Sequence, residues 1–165
     1  MKKKVAIYPG SFDPFTNGHI NIIERGVRVF DKVIVAVAHN ASKRTTFTVE
    51  ERVEIIREVF RKRPEVDVDY FQGLLVEYAR KRGTNIVLRG MRTVSDFEYE
   101  LQMALSNKTL YPEIETIFMV TEGAYSHISS SLIKEIITLG GSAKEMVPEI
   151  VEKKLREKLL RKQEV

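Results

Sequence analysis

Short β-branched runs alternate along this chain with longer segments of helical period. That alternation constrains the fold more than any other feature, because parallel strands have to be joined by crossovers long enough to carry helices. Val5–Tyr8, Val33–Ala38, Val66–Tyr70, Asn85–Leu88 and Thr116–Val120 read as strands. The second and fourth are apolar enough to be central strands buried on both faces. Ile20, Ile23, Val27 and Phe30 recur at three- and four-residue spacing and mark a buried helical stripe, as do Phe97, Leu101, Ala104 and Leu105. Thr48-Val49-Glu50-Glu51 is a capping box that opens a helix through Val53, Ile56 and Phe60. Ser129 to Ser131 precede a helix that Gly140-Gly141 ends, and Pro148 introduces a final basic helix over about 148–162. The expectation is a single-domain α/β fold, doubly wound about a five-stranded parallel sheet.

Composition narrows the chemistry. At 165 residues and 43% apolar content, the chain buries one sizeable core. No stretch approaches the roughly 18 uninterrupted apolar residues of a membrane span. Met1-Lys2-Lys3-Lys4 runs into a strand and not into a signal-peptide core, so a cytoplasmic location without a membrane partner is expected. With no cysteine, disulfides and thiolate metal sites are excluded, and His19, His39 and His127 have no familiar zinc spacing, so no resident metal is expected. The net charge of +4 gathers at Lys153, Lys154, Arg156, Lys158, Arg161 and Lys162. This cluster reads as a solvated helix face and not a nucleic-acid patch, leaving an anionic small molecule as the partner.

The first strand ends in Tyr8-Pro9-Gly10-Ser11-Phe12-Asp13-Pro14-Phe15-Thr16-Asn17-Gly18-His19. Two glycines, two prolines and small polar residues make a strand-to-helix turn, the place where open α/β sheets bind ligands. His19 falls in the first turn of the next helix, whose free N–H groups favour phosphate, and a histidine there can donate to a phosphoryl oxygen as charge develops on it. Neither the Walker pattern nor the three-glycine dinucleotide fingerprint is present, which removes the main support for kinase and dehydrogenase readings. Arg89 and Arg92 follow a buried strand, and their guanidinium forks suit phosphate oxygens; the simpler reading pairs them with Glu98 or Glu100. Lys43 lies in a polar loop at the same sheet edge. Ser129, Ser130 and Ser131 offer hydroxyls and N–H groups at a helix start, either as caps or as an anion cradle.

Asn17-Gly18-His19 is the small-x-x-His motif of nucleotidylyltransferases, and the chain as a whole resembles the bacterial phosphopantetheine adenylyltransferases over essentially its full length. The resemblance rests on Tyr8–Pro14, Phe47–Arg52, Leu88–Arg92 with Asp96–Glu100, and Ile128–Ser131, in the family's order and near its spacing. It implies a Rossmann-like nucleotidyltransferase fold, and transfer of AMP from ATP to 4′-phosphopantetheine, giving dephospho-coenzyme A and pyrophosphate. By the same resemblance His19, Lys43 and Arg92 are catalytic, and Ser11, Lys43, Leu75 and Arg89 hold the acceptor. Ser11, Phe12, His19, Gly90, Met91, Arg92, Glu100 and the stretch Tyr125, Ser126, His127, Ile128, Ser129, Ser130, Ser131 line the nucleotide. Magnesium is expected with ATP, coenzyme A as a feedback ligand, and a homohexamer as the assembly. His127 stands where an aromatic residue is usual and Met91 where leucine is usual; neither removes a charge or a donor.

The nearest rival is a nucleotidyltransferase of the same fold acting on nicotinate mononucleotide or, with CTP, on glycerol phosphate. Such enzymes would not be expected to carry the Leu88–Arg92 and Asp96–Glu100 blocks together. A nucleic-acid module leaves the Pro9–His19 turn without a purpose, and a sensor that had lost catalysis would not need Ser11, His19, Lys43, Arg89 and Arg92 together.

Overall fold

The computed structural model describes residues 3–40, 42 and 44–160. Five parallel strands form one sheet: β1 (Val5–Gly10), β2 (Lys32–His39), β3 (Val66–Gln72), β4 (Ile86–Met91) and β5 (Glu115–Val120), in the order β3-β2-β1-β4-β5. Helices α1 (Asn17–Gly26), α2 (Val49–Val59), α3 (Leu75–Arg82), α4 (Val94–Leu110), α5 (Ser130–Thr138) and α6 (Glu149–Leu159) supply the crossovers and the carboxyl-terminal cover. The α/β class and the parallel sheet are as the sequence predicts.

Strand alternation sorts the core into two layers. Ala6, Tyr8, Val33, Val35, Val37 and Leu88 face one side, where they meet Ile22 and Ile23 of α1, Val53 and Ile56 of α2, Ile133 of α5 and Val151 of α6. Ile7, Ile34, Ala36 and Val87 face the other, against Val76 and Ala79 of α3 and Ile114. β1 is the middle strand, flanked by β2 and β4, so its short Val5–Tyr8 run turns out to be the most enclosed position in the sheet.

Three elements differ from the sequence reading. β4 runs on to Met91, so Arg89, Gly90 and Met91 are strand residues and not the loop that follows a strand. α3 has no counterpart in the pattern read above; its N-cap, Leu74, provides no side-chain cap bond, and its charged residues mask the apolar positions. The Phe97–Leu105 stripe of α4 is not buried: Phe97 is 39% exposed, Leu101 38% and Leu105 60%, while Glu100 is the helix's buried residue. The period is right, but the face it marks is turned away from the chain's own core.

The switch of strand order at β1 places a crevice between β1 and β4 at their carboxyl ends. β1 pairs with β2 from Val5–Lys32 through Gly10–Val37, whereas its ladder with β4 holds only at Ala6–Ile86 and Ile7–Val87. Beyond those pairs the two strands part.

Helix α1 closes against the sheet through Gly26, where a Cβ would meet Leu88 Cδ2 at 2.9 Å and Val33 Cγ2 at 3.2 Å. Overpacking of this kind costs about 1–3 kcal/mol, so Gly26→Ala is expected to lower the urea midpoint by that amount of stability. Gly123→Ala, where nothing lies within 4 Å, should stay within about 0.5 kcal/mol of the parent in the same measurement.

Candidate active site

The turn after β1 is built around a close approach of backbone to ring. A Cβ on Gly10 would sit 2.9 Å from the Phe12 ring, and Phe12 itself takes a left-handed φ of 50°, a strained choice for a side chain of this size. The strain is held by packing. Phe12 is buried, with its ring edge-on to Tyr8, Phe15 and His19. The Asp13–Pro14 peptide is cis.

Two buried charges fasten this turn to the loop after β2. The Asp13 carboxylate accepts from the N–H groups of Thr46 (2.8 Å) and Phe47 (2.9 Å). Arg52, only 3% exposed, donates to the carbonyls of Ser11 (2.6 Å), Thr48 (3.2 Å) and Ala38 (3.3 Å). The Phe47–Arg52 block therefore acts structurally, holding the β1 turn from behind. Lys43 lies outside the described residues.

His19 sits at the third position of α1, one ring face stacked on Phe15 at 5.5 Å. Desolvation, then the nearby charges of Arg92 and Arg89, lower its pKa to about 3, so the imidazole is neutral at physiological pH. Arg89 projects from β4 into the gap between the parted strands. It donates to the Pro9 carbonyl (2.5 Å) and, from Nε, to Glu100 Oε2 (2.6 Å), and its Nη2 pairs with Glu100 Oε1. Burial works against its charge, but the Glu100 hydrogen bonds and field prevail and hold its pKa above the ordinary arginine value. Arg92 donates to the Ile128 carbonyl (2.7 Å) and pairs with Asp96 (3.2 Å).

Two cavities meet at this gap. One, of 400 Å³, opens on the α1 and α5 side and is lined by Ser11, Phe12, His19, Gly90, Arg92 and the Ile128–Ser131 stretch. The other, of 890 Å³, opens on the α3 and α4 side between Phe71, Leu74 and Leu75 and the α4 face formed by Tyr99, Met103 and Ala104. Pro9, Gly10, Ser11, Arg89 and Glu100 belong to both walls.

The predicted residues are therefore partly gathered. Ser11, Phe12, His19, Gly90, Arg92, Glu100, Ile128, Ser129, Ser130 and Ser131 line the smaller cavity, and Leu75 and Arg89 the larger. Met91, Tyr125, Ser126 and His127 line neither; His127 is exposed, and the 3₁₀ turn Gly123–Tyr125 packs near Gly18 at the start of α1. The three serines divide their tasks. Ser129 caps α5 by accepting from Leu132 N–H (3.2 Å), Ser130 donates to the Pro14 carbonyl (3.0 Å), and Ser131 is exposed. Tyr99, Met103, Ala104 and Asn107 join the larger cavity without being among the predicted residues, although Met103, Ala104 and Asn107 follow Glu100 by three, four and seven positions, a legible helix face.

The family model described as cytidylyltransferase-like matches residues 7–136. The chain is 57% identical over 155 residues to a phosphopantetheine adenylyltransferase of Caldanaerobacter subterraneus subsp. tengcongensis, covering 94% of this chain and 97% of that protein. The chain belongs to the phosphopantetheine adenylyltransferase family. Family members of the same name from Desulforudis audaxviator (54% identical, 94% of this chain and 95% of that one) and Syntrophus aciditrophicus (53%, 94% of each) align over nearly the same span. As a phosphopantetheine adenylyltransferase family member, the chain is a nucleotidyltransferase of coenzyme A biosynthesis. No helix among the described residues is long and apolar enough to cross a membrane.

Because the folded pKa of His19 is lowered, the unfolded chain takes up a proton near pH 6.5 that the folded chain refuses. The stability this site contributes is thus whole above about pH 6.5 and falls as pH drops towards 3. The His19 ring resonances should stay flat from pH 8 to about pH 4.5 in an NMR titration; a midpoint near pH 6.5 would show that the ring is not desolvated in this way.

Proposed function

We propose that this chain transfers the adenylyl group of ATP to the phosphate of 4′-phosphopantetheine. An acceptor phosphate oxygen attacks the α-phosphorus and forms a new P–O bond. The bond from that phosphorus to the bridging oxygen breaks, and pyrophosphate leaves with the electron pair. A phosphate monoester near neutral pH is already anionic, so no base and no covalent enzyme intermediate are required. Catalysis then rests on positioning and on stabilising charge as it develops.

The single observation that carries this reading is the pair of cavities joined at Ser11, Arg89 and Glu100, one polar and set against two helix starts, the other lined by leucine, phenylalanine and methionine. A nucleotide fits the first description. An acceptor with a long, weakly polar arm and a terminal phosphate fits the second, its phosphate lying at the junction.

In this reading His19 donates to a non-bridging α-phosphoryl oxygen. Ser11 and Lys43 hold the attacking phosphate, and Arg92 with the Ser129–Ser131 helix start receives the nucleotide phosphates. Arg89 uses three of its five N–H donors on Glu100 and Pro9, which leaves two for the acceptor phosphate. Leu75 packs on the pantetheine arm. Phe12, Gly90, Glu100 and Ile128 enclose the rest of the nucleotide. Coenzyme A, which carries the same arm, is read as a feedback ligand of the larger cavity. Magnesium belongs to this scheme as part of the ATP substrate, in a cytoplasmic setting where ATP is made. The Asp13 and Asp96 carboxylates nearest the smaller cavity are already engaged by backbone N–H groups and by Arg92, which suits an ion carried by the substrate.

Pyrophosphate release should require ATP, magnesium and 4′-phosphopantetheine together, yield dephospho-coenzyme A, and be absent with nicotinate mononucleotide. His19→Ala should lower turnover by about 10²–10³ at saturating substrate. Release with nicotinate mononucleotide alone would move the acceptor, and near-normal turnover of His19→Ala would remove the histidine from the mechanism.

The homohexamer is proposed on the exposed apolar side chains of α4 and β5, among them Val94 (77%), Leu105 (60%) and Val120 (64%), which one chain leaves uncovered. Light scattering should give the mass of six 19.0 kDa chains, and Leu105→Glu should lower it; a monomeric mass for the parent protein would overturn the proposal.

A further inference from the structure

Helix α1 begins with a capping box in which histidine occupies the position usually held by glutamate or glutamine. His19 N–H donates to Thr16 Oγ1 (3.3 Å), Thr16 N–H donates to His19 Nδ1 (3.0 Å), and the Thr16 hydroxyl lies 3.2 Å from the same nitrogen. A backbone N–H is a donor only. Nδ1 must therefore present its lone pair, and in a neutral imidazole the proton then belongs to Nε2. The ring is also held on two sides, stacked on Phe15 with 21° between planes and met edge-on by Phe12 at 88°. Thr16 is itself 3% exposed, and among the described residues Nε2 has no hydrogen-bond partner.

We propose that Thr16 is a positioning residue of this enzyme: its N–H and hydroxyl fix His19 as the Nε2–H tautomer and leave that N–H free for the cavity His19 lines. A glutamate at this position would cap the helix equally well but would bring no second donor. The histidine lets one structure do both jobs, because the bond that caps the helix also decides which ring nitrogen carries the proton. The inference rests on the reading of His19 as the donor to the α-phosphoryl group.

The test begins with the parent protein. Long-range ¹H–¹⁵N correlation of the labelled full chain should show His19 Nδ1 unprotonated and Nε2 protonated. Thr16→Ser keeps both contacts and should turn over within about twofold of the parent, whereas Thr16→Val keeps only the backbone N–H. The valine variant should lose about tenfold in kcat, part of the hundredfold that a misplaced catalytic group costs, with both KM values little changed and the His19 nitrogen shifts moved towards tautomer exchange. A parent spectrum with the proton on Nδ1 overturns the inference even if His19→Ala still collapses turnover, which would leave the donor reading standing. A Thr16→Val protein that melts earlier but keeps the parent kcat and ring pattern reduces Thr16 to a cap and overturns it as well. Should the valine variant not fold, the parent spectrum and the Thr16→Ser rate still decide. Normal turnover of His19→Ala is a different result, and it removes the donor reading itself.

Discussion

The parting of β1 from β4 after two paired residues is the constraint on which the rest of the site depends. A continuous ladder would satisfy the backbone of both strands and leave no way through the sheet. Because the strands separate, the Pro9 carbonyl needs another donor, and Arg89 provides it from β4. The guanidinium that fills the gap is thereby half-buried, and a cation drawn part-way out of water needs a partner. Glu100, the buried residue of α4, is that partner. One break in strand pairing thus fixes a cation between two cavities and sets the rotation of α4, because Glu100 cannot reach Arg89 unless Tyr99, Met103 and Ala104 turn to the larger cavity with it.

The same logic explains why so many charged residues near the cavities do no chemistry in the proposed reaction. Arg52 spends its guanidinium on three carbonyls, and Asp13 spends its carboxylate on two N–H groups, in a region without sheet pairing. Hydrogen bonds to charged groups contribute roughly 1.5–3 kcal/mol each, enough to hold Phe12 in its left-handed conformation at a cost of order 1–3 kcal/mol. The turn is thus a rigid platform despite its lack of regular structure, and Ser11 and His19 are held on it before any ligand arrives.

What could be read from the sequence follows from which signals are local. Five of the six helices among the described residues carry local signals, in caps, stripes, end glycines or an opening proline: Thr48 and Glu51 form their capping box, and Gly140 ends α5 in a left-handed conformation. The strands were legible through β-branching, but β4 was read short because Arg89-Gly90-Met91 has loop composition. Only the gap beside it, a tertiary feature, explains an arginine there. Gly90 faces Ile22 at 3.0 Å from where a Cβ would sit, and the reason for glycine lies on another element. The α4 stripe failed in the opposite way. Its period was correct, yet period does not say which neighbour a face meets, and on this helix the buried face is built around a glutamate. Site residues adjacent in sequence to the β1 turn could be found from composition, whereas Met103 and Asn107 required the rotation that Arg89 and Glu100 impose.

Charge at the site is more balanced than an anion-binding function first suggests. Glu100 offsets Arg89, Asp96 offsets much of Arg92, and His19 is neutral, so fixed cations among the described residues leave little net excess. Positive potential is offered instead by the helix starts of α1 and α5, through the N–H groups that their caps leave open, Gly18 in α1 and Ser130 and Ser131 in α5, which act at short range and in defined directions. A strongly cationic pocket would bind ATP, acceptor and pyrophosphate with similar strength, and uniform binding of that kind does not lower the barrier to the chemical step. Directed N–H groups discriminate by geometry. A neutral histidine belongs to the same design, because a single N–H whose position is fixed by the helix cap can favour the altered oxygen arrangement of the transition state over that of the bound triphosphate, whereas an imidazolium would attract both.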